Sequence, residues 1–361
     1  KNAAVSNDAS MSVTISGCTA KLRKVDTGAC LHTFANELDS GPSGATPVAV
    51  SSDDELDSGP SRATMAACSS DDELDSGPSR ATSAAFSSDS DACVVVFPDE
   101  SLAKVWCTFT GECICTLEGH EDTINTASFS PDCTLVVTAS EDATSRLWNA
   151  QTGMCVHILG DVLLDSAAQG PDWYYEAAVS EASFSPDGSI VASIHYTSLK
   201  IWSSCSGELL QEMSGGWLDL RPDMAFSPQG LILTCGDGPL RLWHPRKYRD
   251  ASEEGMRAQG SPERFSRQSF CSDGSHFCTV PYDAKGKPCF HAAVRDVQHW
   301  QSSGRLLLAH TGAVNMAAFA PDDCTVVTGS SDGTAKVWNG FTGEVLHTLE
   351  GHRGPFMMAL F

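Results

Sequence analysis

Two groups of residues in this chain are of types that could do chemistry. Cys271, His276, Cys278, Cys289 and His291 offer thiol and imidazole groups within a short stretch, the donor types of a tetrahedral zinc site. His120 with Asp142, and His310 with Asp332, are the residue types of a carboxylate-oriented general base. The first group fails on distance. If residues 275–282 and 288–295 pair as a hairpin about a turn at 283–287, Cys278 lies opposite Ala292 and Cys289 opposite Pro281. The thiols are then about three strand positions apart, roughly 10 Å at ~3.3 Å per residue. Zinc draws each ligand to about 2.0–2.3 Å. No Ser–His–Asp order, phosphate-cradling glycine loop or metal-ligand helix can be assembled elsewhere. The expectation is no catalytic residue, no metal and no cofactor, which leaves the His–Asp pairs to be explained by the elements that carry them.

Those elements are short strands. The stretch Leu117–Asn149 holds three β-type runs, Ile124–Phe129, Leu135–Ala139 and Ser145–Trp148, and Cys155–Leu159 follows as a fourth. Ser130-Pro131-Asp132 separates the first two, with proline presetting φ for a type I turn. Ser140-Glu141-Asp142 is an acidic tight-turn signal before the third. Four strands joined this way make one antiparallel sheet that cannot bury both faces alone, so copies are required. Residues 313–349 repeat the pattern closely. Weaker copies carry Phe184-Ser185-Pro186-Asp187 with Trp202, Phe226-Ser227-Pro228 with Trp243, and Phe86-Ser87-Ser88-Asp89 with Trp106. Trp106, Trp148, Trp202 and Trp243 are spaced by 42, 54 and 41 residues, and a degenerate unit at 265–310 fills the interval to Trp338.

With Gly119-His120, the Ser-Pro-Asp turns, Asp142 and Asp332, and the pairs Trp148-Asn149 and Trp338-Asn339, the sequence resembles the WD-repeat β-propeller family. Members of that family usually have Trp-Asp at the last pair. The resemblance implies an all-β fold of four-stranded antiparallel blades and gives the His–Asp pairs a structural role. A His between blades, a Ser or Thr on the second strand, an Asp in the next turn and the third-strand Trp form a hydrogen-bonded tetrad. His120, Thr138 or Ser140, Asp142 and Trp148 occupy those positions, as do His310, Thr328 or Ser330, Asp332 and Trp338. Buried imidazole, carboxylate and indole N–H each require partners, so burial demands a connected network. The weaker copies lack members: His195-Tyr196-Thr197 stands where a turn Asp is expected, and Val25 where the first Trp is expected. Ala143 follows Asp142 where Gly333 follows Asp332.

Composition bounds the function. The chain has 361 residues, 15 cysteines without a regular framework and a formal net charge of −23. Irregular, odd-numbered thiols read as an intracellular protein rather than a disulfide scaffold. Phosphate binding needs a basic surface, so nucleic acid is not an expected partner. No apolar run reaches the length of a membrane span, and the sequence starts at Lys1 rather than Met.

Seven blades are expected. Residues 11–34 read as three strands without a first, and Phe356–Phe361 reads as a first strand without successors. Pairing the two would close the ring with strands from both termini and remove open edges. The other six blades begin near residues 80, 122, 177, 222, 264 and 313. An 18-residue unit is repeated three times across 36–89, and only its last copy runs on into a blade. The acidic segment 36–78 therefore reads as a disordered loop. Ser51, Ser52, Ser69, Ser70 and Ser88 each have an acidic residue three positions on, which suits an acidophilic kinase. Asp-Ser-Gly-Pro-Ser at 39–43, 57–61 and 75–79 resembles a phosphodegron with its second serine one position early. A second insertion, 160–176, carries Trp173, Tyr174 and Tyr175, residue types typical of binding hot spots. A third, 244–263, carries Arg246, Lys247 and Arg249 and reads as a solvated loop.

The functional expectation is a non-catalytic scaffold for protein–protein interaction, one subunit of a larger assembly. Its partner, a protein or a basic peptide, is expected on the face that carries the inter-blade links, at Glu121, Asp122, Glu141, Trp173, Tyr174 and Tyr175. The alternative is a propeller enzyme or small-ligand binder using the central channel. Innermost strands reading Thr-Ala-Ser-Phe, Glu-Ala-Ser-Phe and Met-Ala-Ala-Phe are poor material for acid–base or nucleophilic catalysis.

Overall fold

The computed structural model describes residues 3–6, 8–16, 19–35, 83–97, 101–160, 178–195, 198–214, 223–235, 241–243, 263–264, 269–282, 287–299, 304–320, 322 and 324–350. These form strands and turns, with no helix among the described residues. The first sheet is β1 (Ala3–Val5), β2 (Met11–Ser16), β3 (Thr19–Lys24) and β4 (Cys30–Ala35), and the second is β5 (Ser83–Phe86), β6 (Ala92–Phe97), β7 (Leu102–Cys107) and β8 (Cys113–Leu117). The third is β9 (Ile124–Phe129), β10 (Leu135–Ser140), β11 (Ser145–Asn149) and β12 (Cys155–Leu159). The fourth is β13 (Val179–Phe184), β14 (Ile190–His195), β15 (Ser198–Ser203) and β16 (Leu209–Ser214). Three described strands make the fifth, β17 (Asp223–Phe226), β18 (Ile232–Cys235) and β19 (Arg241–Trp243). The sixth is β20 (Glu263–Arg264), β21 (His276–Pro281), β22 (Ala292–Asp296) and β23 (Arg305–Leu307). The seventh is β24 (Val314–Phe319), β25 (Thr325–Ser330), β26 (Ala335–Asn339) and β27 (Val345–Leu349).

Each sheet is antiparallel and joined in chain order, and in the third sheet every link between strands is a short turn. One turn recurs between the first and second strands. Ser130 Oγ donates to Asp132 Oδ1 at 2.6 Å and accepts from Leu135 N at 2.9 Å, while Ser130 N donates to Leu135 O. Ser87 with Asp89 and Ser185 with Asp187 repeat it. In the sixth sheet a thiol replaces the hydroxyl: Cys271 Sγ contacts Asp273 Oδ1 at 2.8 Å and accepts from His276 N at 3.0 Å.

The same turn corrects the expected closure. Ser6 Oγ donates to Asp8 Oδ1 at 2.6 Å and accepts from Met11 N at 2.9 Å, so residues 3–5 become the first strand of the first sheet. β1 pairs with β2 through Ala3↔Thr14, Ala4↔Val13 and Val5↔Ser12, and β3 takes the other edge of β2. A strand has only two edges, so Met11–Ser16 has none left for Phe356–Phe361, which lies outside the described residues. The 36–78 segment also lies outside them.

Two register expectations change as well. In the third sheet, Val136 pairs with Trp148. Its counterpart in the first sheet, Ser12, pairs with Arg23, so the tryptophan position is held by Arg23 and not Val25. In the sixth sheet, Cys278 pairs with Val294 instead of Ala292, although Cys289 N does donate to Pro281 O. Residues 289–291 leave the ladder between the two points and absorb the difference.

Side chains alternate across each sheet, so both faces bury apolar groups. In five of the six layers that follow, the later sheet's third-strand tryptophan packs back onto the earlier sheet. Leu22 and Phe34 meet Cys93 and Trp106; Val105 and Leu117 meet Val136 and Trp148; Leu147 and Leu159 meet Val191 and Trp202. Ile194 and Ile201 meet Ile232 and Trp243, Leu233 and Leu242 meet Phe270 and Phe277, and Val294 and Leu307 meet Val326 and Trp338. The core is thus divided among six inter-sheet layers, with Met316, Ala318 and Val327 buried in a seventh cluster on the other face of the seventh sheet. Removing residues 1–5 should uncover the inner edge of β2, lowering the thermal midpoint and promoting aggregation on heating. Scanning calorimetry and light scattering of the truncated chain would check this.

Candidate partner-binding face

Antiparallel order puts the link Glu118–Thr123 and the turn Glu141–Ala143 at one end of the third sheet, and the Ser-Pro-Asp turn at the other. The link and the turn are joined through one buried hydrogen-bonded chain. Trp148 Nε1 donates to Thr138 Oγ1 at 2.8 Å, His120 Nε2 lies 2.6 Å from the same oxygen, and His120 Nδ1 lies 2.7 Å from Asp142 Oδ2. Asp142 also accepts from Glu121 N and from Thr144 N and Oγ1. The seventh sheet repeats this with Trp338, Thr328, His310 and Asp332 at 2.7, 2.7 and 2.9 Å. Ser140 and Ser330 do different work: each hydroxyl donates across to the link, to Asp122 O and Ala313 O, and accepts from Asp142 N or Asp332 N.

One donor assignment satisfies every group with a neutral imidazole. Thr138 accepts the indole N–H and turns its own hydrogen toward His120 Nε2, leaving Nδ1–H for Asp142. Burial pushes the Asp142 carboxyl up, but hydrogen bonds from His120, Thr144 and Glu121 N outweigh it and hold the group down to about 2. Asp332 is held below the usual carboxylate range in the same way, and burial lowers His310. The His120 and His310 side chains are 0% exposed, and both ring nitrogens of each are engaged. These pairs have no free nitrogen to offer a substrate.

The other sheets carry partial versions. Trp243 Nε1 donates to Thr234 Oγ1, and Trp202 Nε1 to Ser193 Oγ, which His195 from the same strand meets at 3.1 Å. In the second sheet Val95 holds the Thr138 position, and the buried Trp106 Nε1 has no hydrogen-bond partner. Ala143 adopts φ 68° where Gly333 has φ 80°.

Glu121 is exposed and Asp122 and Glu141 are half-buried at this end. Glu121 N is tied to Asp142, Glu141 N donates to Thr123 O, and Asp122 Oδ1 accepts from Thr123 N. The backbone beneath the three carboxylates is therefore fixed. Trp173, Tyr174 and Tyr175, and Ser51, Ser52, Ser69 and Ser70, lie outside the described residues. Ser88 is exposed at the opposite end, its hydroxyl donating to Pro131 O at 2.7 Å. Glu181, in a strand whose sequence reads as small and apolar, is buried and accepts from Met224 N of the next sheet at 3.0 Å. Burial raises the Cys278 thiol to about 12, away from the thiolate a metal would need.

A family profile described as "WD domain, G-beta repeat" matches residues 111–149 and 301–339, which cover the first three strands of each of the two sheets with complete tetrads. Two WD repeats are thus present in the chain. It is 34% identical over 90 residues to eukaryotic translation initiation factor 3 subunit I of Aspergillus fumigatus, 25% of this chain and 22% of that protein. The same subunit of Emericella nidulans is 34% identical over 95 residues, 26% of this chain and 24% of that one. Telomerase protein component 1 of Rattus norvegicus is 26% identical over 242 residues, 62% of this chain and 8% of that protein. The matches thus span less than a quarter of each relative's length. WD repeats build protein-interaction scaffolds, and the antiparallel sheets of this chain fit propeller blades. Among the described residues no helix is long and apolar enough to cross a membrane.

Two measurements test the tetrad chemistry. Val95→Thr should supply the acceptor that Trp106 lacks and stabilise the fold by about 1 kcal/mol, whereas Thr138→Val should cost about 2 kcal/mol. Urea unfolding of both variants decides it. The second is pH. Asp142 is held below its ordinary 3.8, so its contribution is fully present above that value and lost as pH falls through about 2. Asp142→Asn should flatten this acid limb, by about 2 kcal/mol in all, in denaturation curves taken across that range.

Proposed function

We propose that this chain is a non-catalytic scaffold in which the seven blades close into one ring and a partner docks on the face bearing the inter-blade links. The observation that carries the reading is the fixed acidic edge of the third blade. Glu121, Asp122 and Glu141 stand on backbone pinned by the His120–Asp142 network, within a chain of net charge −23. A basic peptide or a basic protein surface fits such an edge, because complementary charge steers encounter. Trp173, Tyr174 and Tyr175, which lie in sequence between the third and fourth blades, are of the residue types that serve as aromatic anchors.

Membership in a larger assembly accords with relatives whose names are those of an initiation factor subunit and a telomerase component. An intracellular location goes with the same reading. Ser51, Ser52, Ser69, Ser70 and Ser88 are its phosphorylation sites, and added phosphate would deepen the negative charge.

Partner capture from native extract tests the face. Alanine at Trp173 and Tyr175 should abolish capture of the principal partner while the thermal midpoint stays put. Lysine at Glu121 and Asp122 should slow association more than tenfold at low salt, with a smaller effect as salt rises. A partner retained by both variants and lost on changing Asp187 or Asp322, in turns at the opposite end, would remove the assignment.

A further inference from the structure

In four blades the outermost strand carries a contact that the tetrads do not explain. Leu22 pairs with His32, Val105 with Cys115, Leu147 with His157, Val294 with Arg305 and Val337 with His347. In four of these five the outer side chain crosses to the next blade and donates to a carbonyl in its last turn. His32 Nε2 lies 3.1 Å from Phe109 O, Cys115 Sγ 3.2 Å from Ala150 O, His157 Nε2 3.0 Å from Cys205 O and Arg305 Nη1 3.1 Å from Thr342 O. The side chain lies against the glycine of that turn. A Cβ on Gly111 would overlap the His32 ring, and one on Gly207 would stand 2.8 Å from His157.

The fifth member, His347 of blade 7, is exposed. One turn of the same kind is also left over. Gly28 of blade 1 has φ +68°, like Gly111 and Gly207, but nothing lies within 4 Å of where its Cβ would be. A second difference sits beside the first. Phe34, Leu117, Leu159 and Leu307 pair with Ala20, Ala103, Ser145 and Ala292, as Leu349 does with Ala335. The first four are 0% exposed, packed in the layer each shares with the next blade, whereas Leu349 is 49% exposed. A latch donor and an uncovered leucine on blade 7, with an unlatched turn on blade 1, are two halves of one contact.

Met316, Ala318 and Val327 are buried on the same face of blade 7, so only its outer part is open. We propose that this outer part takes blade 1 of the same chain, with His347 Nε2 donating to the Asp26 carbonyl. Asp26 precedes Gly28 by two residues, as Phe109 precedes Gly111 and Cys205 precedes Gly207. The proposal rests on the closed-ring reading and names its closing contact. Blade 1 brings Arg23 where most blades bring an indole, and Arg23 Nη1 donates to Gly28 O at 3.1 Å. This seam therefore buries less apolar surface than the others and is where the ring opens first.

Hydroxyl-radical footprinting of the full chain, read by peptide mass spectrometry, tests it alongside thermal melts of His347→Ala and His157→Ala. Leu159, 0% exposed, and Leu210, 54% exposed, calibrate the labelling. The proposal expects Leu349 to label at the rate of Leu159, and His347→Ala to lower the midpoint as much as His157→Ala. Protection of Leu349 with a silent His347→Ala would overturn the latch and leave the closed ring standing. Labelling at the rate of Leu210 with a silent His347→Ala would remove both. If His347→Ala is costly while Leu349 stays reactive, His347 holds something other than blade 1, and the proposal fails. Protection lost on dilution, with a dimer mass in light scattering, would make the occupant a second copy and also overturn it.

Discussion

A sheet of four short strands that is apolar on both faces must be covered on both. Val136 turns back toward the second sheet and Val137 forward toward the fourth, as period-two alternation requires. Neither side can face water without exposing large side chains such as Trp148 or Leu159. Burial at each layer therefore comes half from one sheet and half from the next, and single sheets have little independent stability. Tight turns follow from this constraint, because the chain has to complete one sheet and reach the next within a short stretch.

Covering a tryptophan creates a second problem, since its indole N–H is buried with the ring. Thr138 resolves it by accepting from Trp148 while its own hydrogen meets His120, so one hydroxyl serves two groups. The fourth sheet reaches a similar end differently, with His195 supplied from the strand that carries Ser193. Val95 leaves Trp106 without that acceptor. An unmet buried N–H costs roughly 1–3 kcal/mol, and stacking of Trp106 on Phe34 at 4.9 Å offsets part of it. Tetrads are thus one solution to a burial cost and not a condition for forming a sheet.

How much of this could be read from sequence follows from what each residue type announces. The sheet starts near 122, 177 and 313 were legible because Pro-Asp turns and tryptophans recur in phase there. β1 was not, because Ala3-Ala4-Val5 is short, lacks a closing aromatic and leads into Ser-Asn-Asp. Arg23 escaped for a related reason: a search for tryptophan finds no landmark where a guanidinium holds its place. Cys271 hid a serine turn behind a residue type that suggests metal. The choice between Thr138 and Ser140 was beyond sequence, since residues two apart share a strand face. The irregularity between Ala139 and Ser140 is what turns the second hydroxyl away. The candidate face rests on charge and aromatic content alone, because no repeat constrains the linking loops.

That division also bears on function. Polar groups fixed by the repeat are consumed within the sheets: both nitrogens of His120, both oxygens of Asp142 and the Glu181 carboxylate have internal partners. On the proposed reading, recognition is left to side chains that the repeat does not specify, such as Glu121 and Glu141. These gain from the network without joining it. Their backbone is held by Asp142 Oδ2 and Thr123 O before any partner arrives, so docking need not pay to order that loop. An internal network with no role in contact can in this way raise affinity at the surface, by removing a cost and not by adding a bond.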